Sequence, residues 1–135
     1  MRIKFETERI EDEYYDSKFI QKKYGLVFAI GLEKLLGYID SFECAYDVKC
    51  LPQFKMHMLH GNMEGIYSLS PDNKKSKWRV PAICLDENDN ERKPSQELEE
   101  IKLLKETKAF KLGRISDYHD WKEKNLKKIS SWRLY

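Results

Sequence analysis

The stretch that most constrains this chain runs from Leu26 to Phe42. Phe28, Leu32, Leu35, Ile39 and Phe42 recur every three or four residues, so a helix gathers them on one face. A face that apolar has to be covered. Gly31 and Gly37 weaken the helix locally or permit close packing. Residues 8–24 contain neither Gly nor Pro and read as a second, highly charged helix, ended by Gly25. The sequence therefore predicts an N-terminal helical hairpin packed on something flat.

Short extended segments supply the flat layer. Residues 2–6 alternate Ile3 and Phe5 with charges, which predicts a strand. Residues 43–53 read as a loop ending near Pro52. Lys55–Leu59, Gly65–Ser70 and Lys77–Leu85 read as three strands, separated by turns at His60-Gly61-Asn62 and Pro71-Asp72-Asn73. Pro81 has no N–H for a ladder, so it is expected at an edge or a bulge. Residues 86–96 read as a polar loop. Glu97–Lys108 reads as a helix with Ile101, Leu104 and the Lys105 stem inward, and we expect it to flank the site or touch a partner instead of completing the core. Ala109–Ser116 reads as a last strand, and Asp117 as the N-cap of a C-terminal helix. This order implies an α+β fold with a small, mainly antiparallel sheet. A chain of 135 residues fits a single domain with one modest core. Residues 86–110 are expected to be an acidic loop and helix inserted into that domain, and 121–135 a C-terminal extension.

Charge and cysteine narrow the setting. The net charge is only +2, so its distribution matters more than its sum. The positive charge lies in the second half, interrupted by residues 86–100, where seven carboxylates face two cations. Cys44, Cys50 and Cys84 form no CxxC pair, which argues against a disulfide framework and for a reducing, cytoplasmic home. The three histidines have no zinc-motif spacing, so neither metal nor cofactor is expected. The N-terminus lacks the apolar core of a secretory leader, and no apolar run reaches membrane-spanning length.

Chemistry-bearing residues stand where the expected strands end. His57 and His60 bracket a strand-to-turn transition, Arg79 follows Trp78, and Asp117-Tyr118-His119 closes the last strand. A sheet that joins these ends collects imidazoles, a guanidinium, a carboxylate and aromatics. That set suits RNA cleavage without a metal. The 2′-hydroxyl needs a base, the leaving 5′-oxygen an acid, and the phosphoryl oxygens a fixed positive charge. Histidine serves as base or acid near neutral pH, arginine binds phosphate through a forked pair of bonds, and an aromatic stacks an unstacked base. Taken singly, a strand histidine is usually surface and an Asp before a helix usually a cap. Only the joint pattern points to RNA.

The stretch FKMHMLHGNMEGIYSLSPDNKKSKWRV (54–80) resembles the central part of RelE-superfamily toxins of the HigB type, the plasmid-maintenance killer proteins. In that family a histidine begins a turn with leucine and glycine. A Gly-Ile-aromatic-Ser strand follows, a Trp-Arg pair opens the next strand, and Asp-Tyr-His closes the last. The likeness is strongest over 54–85 and 112–120. It implies a RelE-like fold and a ribosome-dependent, metal-independent mRNA endoribonuclease. It also implies a cognate antitoxin, usually a helix-turn-helix protein that carries any binding to operator DNA. Carried over by residue, His57, Arg79, Asp117, Tyr118 and His119 match the family's active-site positions. Lys77, Trp78 and Arg114 are expected to hold substrate. The chain departs from the family in having His60 where a lysine is common, Pro81 in a strand, and the added segments 86–110 and 121–135. Two other readings stay open: a ParE-like gyrase inhibitor on the same fold, and a degenerate toxin that only pairs with antitoxin and operator DNA.

Overall fold

The computed structural model describes residues 1–117. Its described elements run β1 (Arg2–Phe5), α1 (Glu8–Tyr14), α2 (Ser17–Tyr24), α3 (Leu26–Ser41), α4 (Ala45–Lys49), β2 (His57–Met58), β3 (Ile66–Leu69), β4 (Trp78–Leu85), β5 (Glu91–Arg92), α5 (Glu100–Glu106), β6 (Ala109–Leu112) and β7 (Ser116–Asp117). This is a mixed α+β fold on a mainly antiparallel sheet.

The charged segment 8–24 is two helices, not one. Thr7 caps α1, its hydroxyl accepting from the Ile10 N–H at 3.1 Å, and Glu8 and Glu11 suit the positive end of that helix. Asp16 then caps α2, accepting from the Phe19 N–H at 3.0 Å, with Lys22 and Lys23 in the last turn. A side chain that satisfies a fresh helix start in mid-segment ends the previous helix one residue earlier. Gly25, at φ 95°, makes the next break in a left-handed conformation that only glycine adopts without strain.

The sheet runs β1-β6-β4-β3-β2, with β5 and β7 also paired to β4. β1 lies parallel to β6, and the other pairs are antiparallel. The apolar face of α3 covers one side. Phe28, Leu32, Leu35 and Ile39 are buried and Phe42 half-buried, in one cluster with Tyr67, Leu69, Val80, Ala82, Phe110 and Leu112. These sheet residues alternate along their strands, as one face of a pleat requires.

Three expectations need correction. Residues 45–49 form a short helix inside the stretch read as loop. The segment 86–108 contributes to the core instead of standing outside it. Leu103 and Leu104 are buried in the main cluster, whereas Ile101 is 50% exposed and the Lys105 ammonium lies 5.0 Å from the ring centroid of half-buried Tyr46. The helix starts at Glu100 and not at Glu97, and its inward face runs through Leu103, Leu104 and, just past its end, Thr107.

The third concerns the last strand, which does not run unbroken over 109–116. It bulges opposite Pro81, where a bulge was one of the two expected outcomes, three residues (113–115) standing against Val80 and Pro81. Pro81 lies in β4, the most-paired strand, yet its missing donor is harmless. Pro81 O accepts from the Gly113 N–H at 3.0 Å, so the ring nitrogen faces the same flank of β4. On that flank β6 stops at Leu112 opposite Ala82 and β7 resumes at Ser116 opposite Arg79. The chain leaves β4 over residues 113–115 just where no donor is on offer, which splits the single strand expected over 109–116. Buried Tyr14 fixes the departure, donating its hydroxyl to Gly113 O at 2.6 Å.

Candidate functional site

The pleat decides which of the singled-out residues share a face. His57 pairs with Ser68, and Ser68 with Pro81. Arg79 lies two residues from Pro81 on β4, so it projects to the same side as His57. This side is opposite the one covered by α3. Strand spacings put the two Cα atoms about 12 Å apart, within the joint reach of an imidazole and an arginine. His57 is exposed, and its Nδ1 lies 2.9 Å from Lys55 O. A carbonyl only accepts, so Nδ1 carries hydrogen, and in the neutral ring Nε2 is the acceptor. Arg79 is buried, its Nη1 donating to Ser76 O at 2.6 Å and Trp78 O at 2.8 Å.

His60 is exposed and opens the turn Gly61–Met63 between β2 and β3. The hairpin continues past Met58 through the Leu59 N–H to Ile66 O bond of 2.8 Å, which carries His60 away from the Arg79 end of the sheet.

Asp117 lies in β7 and pairs with Trp78, so it sits on the opposite side of the sheet from His57 and Arg79. It is a strand residue, and the C-terminal helix it was expected to cap lies outside the described residues. Tyr118 and His119 also lie outside them. Asp117 Oδ2 stands 3.5 Å from the Lys77 ammonium, which in turn lies 5.1 Å from the Trp78 ring centroid.

Trp78 belongs to an aromatic and basic rim assembled from three parts of the chain. Its ring meets Tyr24 edge-on, centroids 4.8 Å apart. Lys23 lies 5.5 Å from the Phe19 and Tyr24 ring centroids. Burial pushes the Tyr24 hydroxyl up to about 12, Glu13 adds to the rise, and nearby Arg114 opposes it. Lys23, Lys77 and Arg114 are exposed cations beside these rings, and Lys22, Lys74 and Lys75 are exposed on the same stretches of chain. Three of these side chains were foreseen as substrate-holding groups: Lys77, Trp78 and Arg114. Tyr24 and the lysines of α2 were not, although the interleaved strings Lys22-Lys23-Tyr24 and Lys74-Lys75-Ser76-Lys77-Trp78 carry the signal.

Among the described residues no three His, Cys, Asp or Glu side chains gather to hold a metal ion, and no helix is long and apolar enough to cross a membrane. No protein-family model, curated protein or solved structure matches the chain.

Proposed function

We propose that this protein is the toxin of a toxin–antitoxin pair, an endoribonuclease that cuts mRNA in the ribosomal A site. The observation that carries the reading is the basic and aromatic rim around Tyr24 and Trp78, continuous with the strand that bears Arg79. Exposed cations neutralise phosphates, and their attraction needs no base sequence. The likeness of residues 54–80 to the killer-protein toxins supplies the reaction.

In that reaction the 2′-hydroxyl gives its proton to a base, its oxygen attacks phosphorus, and the bond to the 5′-oxygen breaks as that oxygen is protonated. The products are a cyclic phosphate and a free 5′-hydroxyl. His119, oriented by Asp117, and His57 share the roles of base and acid. Arg79, with His60 assisting, offsets the charge on the phosphorane, and Tyr118 stacks on the A-site nucleotide. The ribosome holds the strand in line, which so modest a net charge does not do unaided. The antitoxin is the cognate partner, and the cytoplasm the site of action.

A second reading is favoured by two observations. Arg79 Nη1 is engaged by two backbone carbonyls, and Asp117 lies across the sheet from Arg79. A protein that binds through the rim without cutting fits them. Induced expression separates the readings, with growth followed alongside a map of new mRNA 5′ ends. In-frame cuts on translated messages support the nuclease, and arrest without cuts supports binding alone. Arrest with DNA breaks points to gyrase, and no arrest overturns the toxin reading.

A further inference from the structure

Helix α3 covers the sheet with one face and leaves the other bare. Six large hydrophobic residues are exposed among those described, and Leu26, Val27, Ile30 and Tyr38 of this helix make up four of them. Val27, Ile30 and Tyr38 follow one another at helical spacing, with Lys34 between them. They form one wall of a groove of about 620 Å³, and Phe54 and the turn Pro71–Lys75 form the other.

The second wall is rigid. The Ser70 hydroxyl accepts from the Lys74 N–H at 2.6 Å and donates to Asp72 Oδ1 at 3.2 Å, tying the turn across its base. Asn73 and Lys74 hold left-handed conformations at φ 56° and 63°. Gly31 lets this turn seat against α3, since a Cβ there would stand 2.0 Å from Pro71 O. Gly37 keeps the far end open, with no atom within 4 Å of an added Cβ. The groove is therefore formed before anything enters it.

We infer that this groove docks an amphipathic helix of a separate protein, one whose apolar stripe is flanked by carboxylates. Charge selects that occupant. Lys34 and Lys75 are the exposed charges on the lining, whereas the lining carboxylate, Asp72, is buried and turned to Ser70. A second copy of this chain, paired about a two-fold axis, would set Lys34 and Lys75 against the same lysines. Side chains from an apolar helix, about one per turn, fill a cleft of this form. The inference does not rest on RNA cleavage, since no groove residue is assigned a step of that reaction, and of the groove's two cations Lys75 is shared with the rim whereas Lys34 is not.

The test uses the isotope-labelled full chain and two synthetic 18-residue helices with the same leucine stripe, one flanked by Glu and one by Lys. The Glu peptide is expected to shift amide signals of residues 27–38 and 71–75. Lys34→Glu with Lys75→Glu should weaken it about tenfold and favour the Lys peptide. Gly37→Leu, at an open position, should block both peptides while the remaining amide spectrum keeps its native dispersion. Equal binding of the two peptides, or shifts confined to other surfaces, overturns the inference. So does a dimer in sedimentation that Ile30→Asp dissolves, because the groove would then be occupied by a second copy.

Discussion

Removing charge from the rim should change how ribosome binding responds to salt. Lys77 is shared with Asp117, which leaves Lys22, Lys23, Lys74, Lys75 and Arg114 to neutralise phosphates. At about 0.7–0.9 counterions released per phosphate, five contacts give a log–log slope of about −3.5 to −4.5. A rise from about 50 to 200 mM KCl then weakens binding roughly 130- to 500-fold. With Lys22, Lys74 and Lys75 changed to Ala, two contacts remain, and the same rise costs only about tenfold. The assay is anisotropy of fluorophore-labelled protein titrated with ribosomes at fixed magnesium. Lys102, Lys105 and Lys108 changed to Ala form the control, exposed lysines on or just after α5. An unchanged slope in the rim variant, or an equal fall in the control, refutes the assignment of the rim as the phosphate contact.

Three further outcomes follow from burial. Leu104→Ala should cost about 2–5 kcal/mol in urea unfolding, since Leu104 is 1% exposed, and Ile101→Ala on the same helix about 0.5 kcal/mol or less. Equal costs would return α5 to the surface. Gly31→Ala should lose about 1–3 kcal/mol by forcing Pro71 away from α3, and a neutral result would show that the turn yields freely. Alkali should destabilise the fold. Burial raises Tyr24 to about 12 and Cys84 to about 11 in the folded state, against ordinary values of 10.0 and 9.0. Their stabilising contribution is complete below the ordinary values and disappears as pH climbs from 9 through 12. Urea midpoints that stay level between pH 8 and 11 would contradict that burial.

Long-range periodicity was legible and short elements were not. The α3 face spans sixteen residues, enough repeats for 3.6-residue spacing to stand out, and Gly25 marks its start. The five residues of α4 complete little more than one turn, so Ala45 and Val48 leave no pattern that differs from a loop. The break before α2 was hidden because Asp16 is one carboxylate in a run of them, and only its bond to the Phe19 N–H distinguishes a cap from a surface charge. The candidate site shows the same limit. Which residues end near a turn can be read along a chain, but which face each one takes depends on register. The pairing of Ser116 with Arg79 sends Asp117 to the far side of the sheet, and no property of Asp117 itself announces that.

Pro81 joins these observations. A residue with an N–H at this place would offer β4 a continuous ladder, and the segment from Ala109 to Ser116 would have every reason to follow it as one strand. The missing donor removes that reason at one position. The chain steps away over Gly113 to Ile115, with Gly113 O bound by the Tyr14 hydroxyl, and Arg114 is left exposed beside the α2 end of the rim. When pairing resumes, Ser116 and Asp117 meet Arg79 and Trp78, which brings a carboxylate to Lys77 and sets the charge balance around the tryptophan. A residue that first looks like a defect in a central strand thus accounts for two features of the rim, the outward arginine and the tethered lysine. Arg79 remains on the other face of the same strand. β4 therefore separates a surface suited to holding phosphates from the face shared by His57 and Arg79, and a bound RNA that used both would have to cross the end of the sheet where β7 pairs.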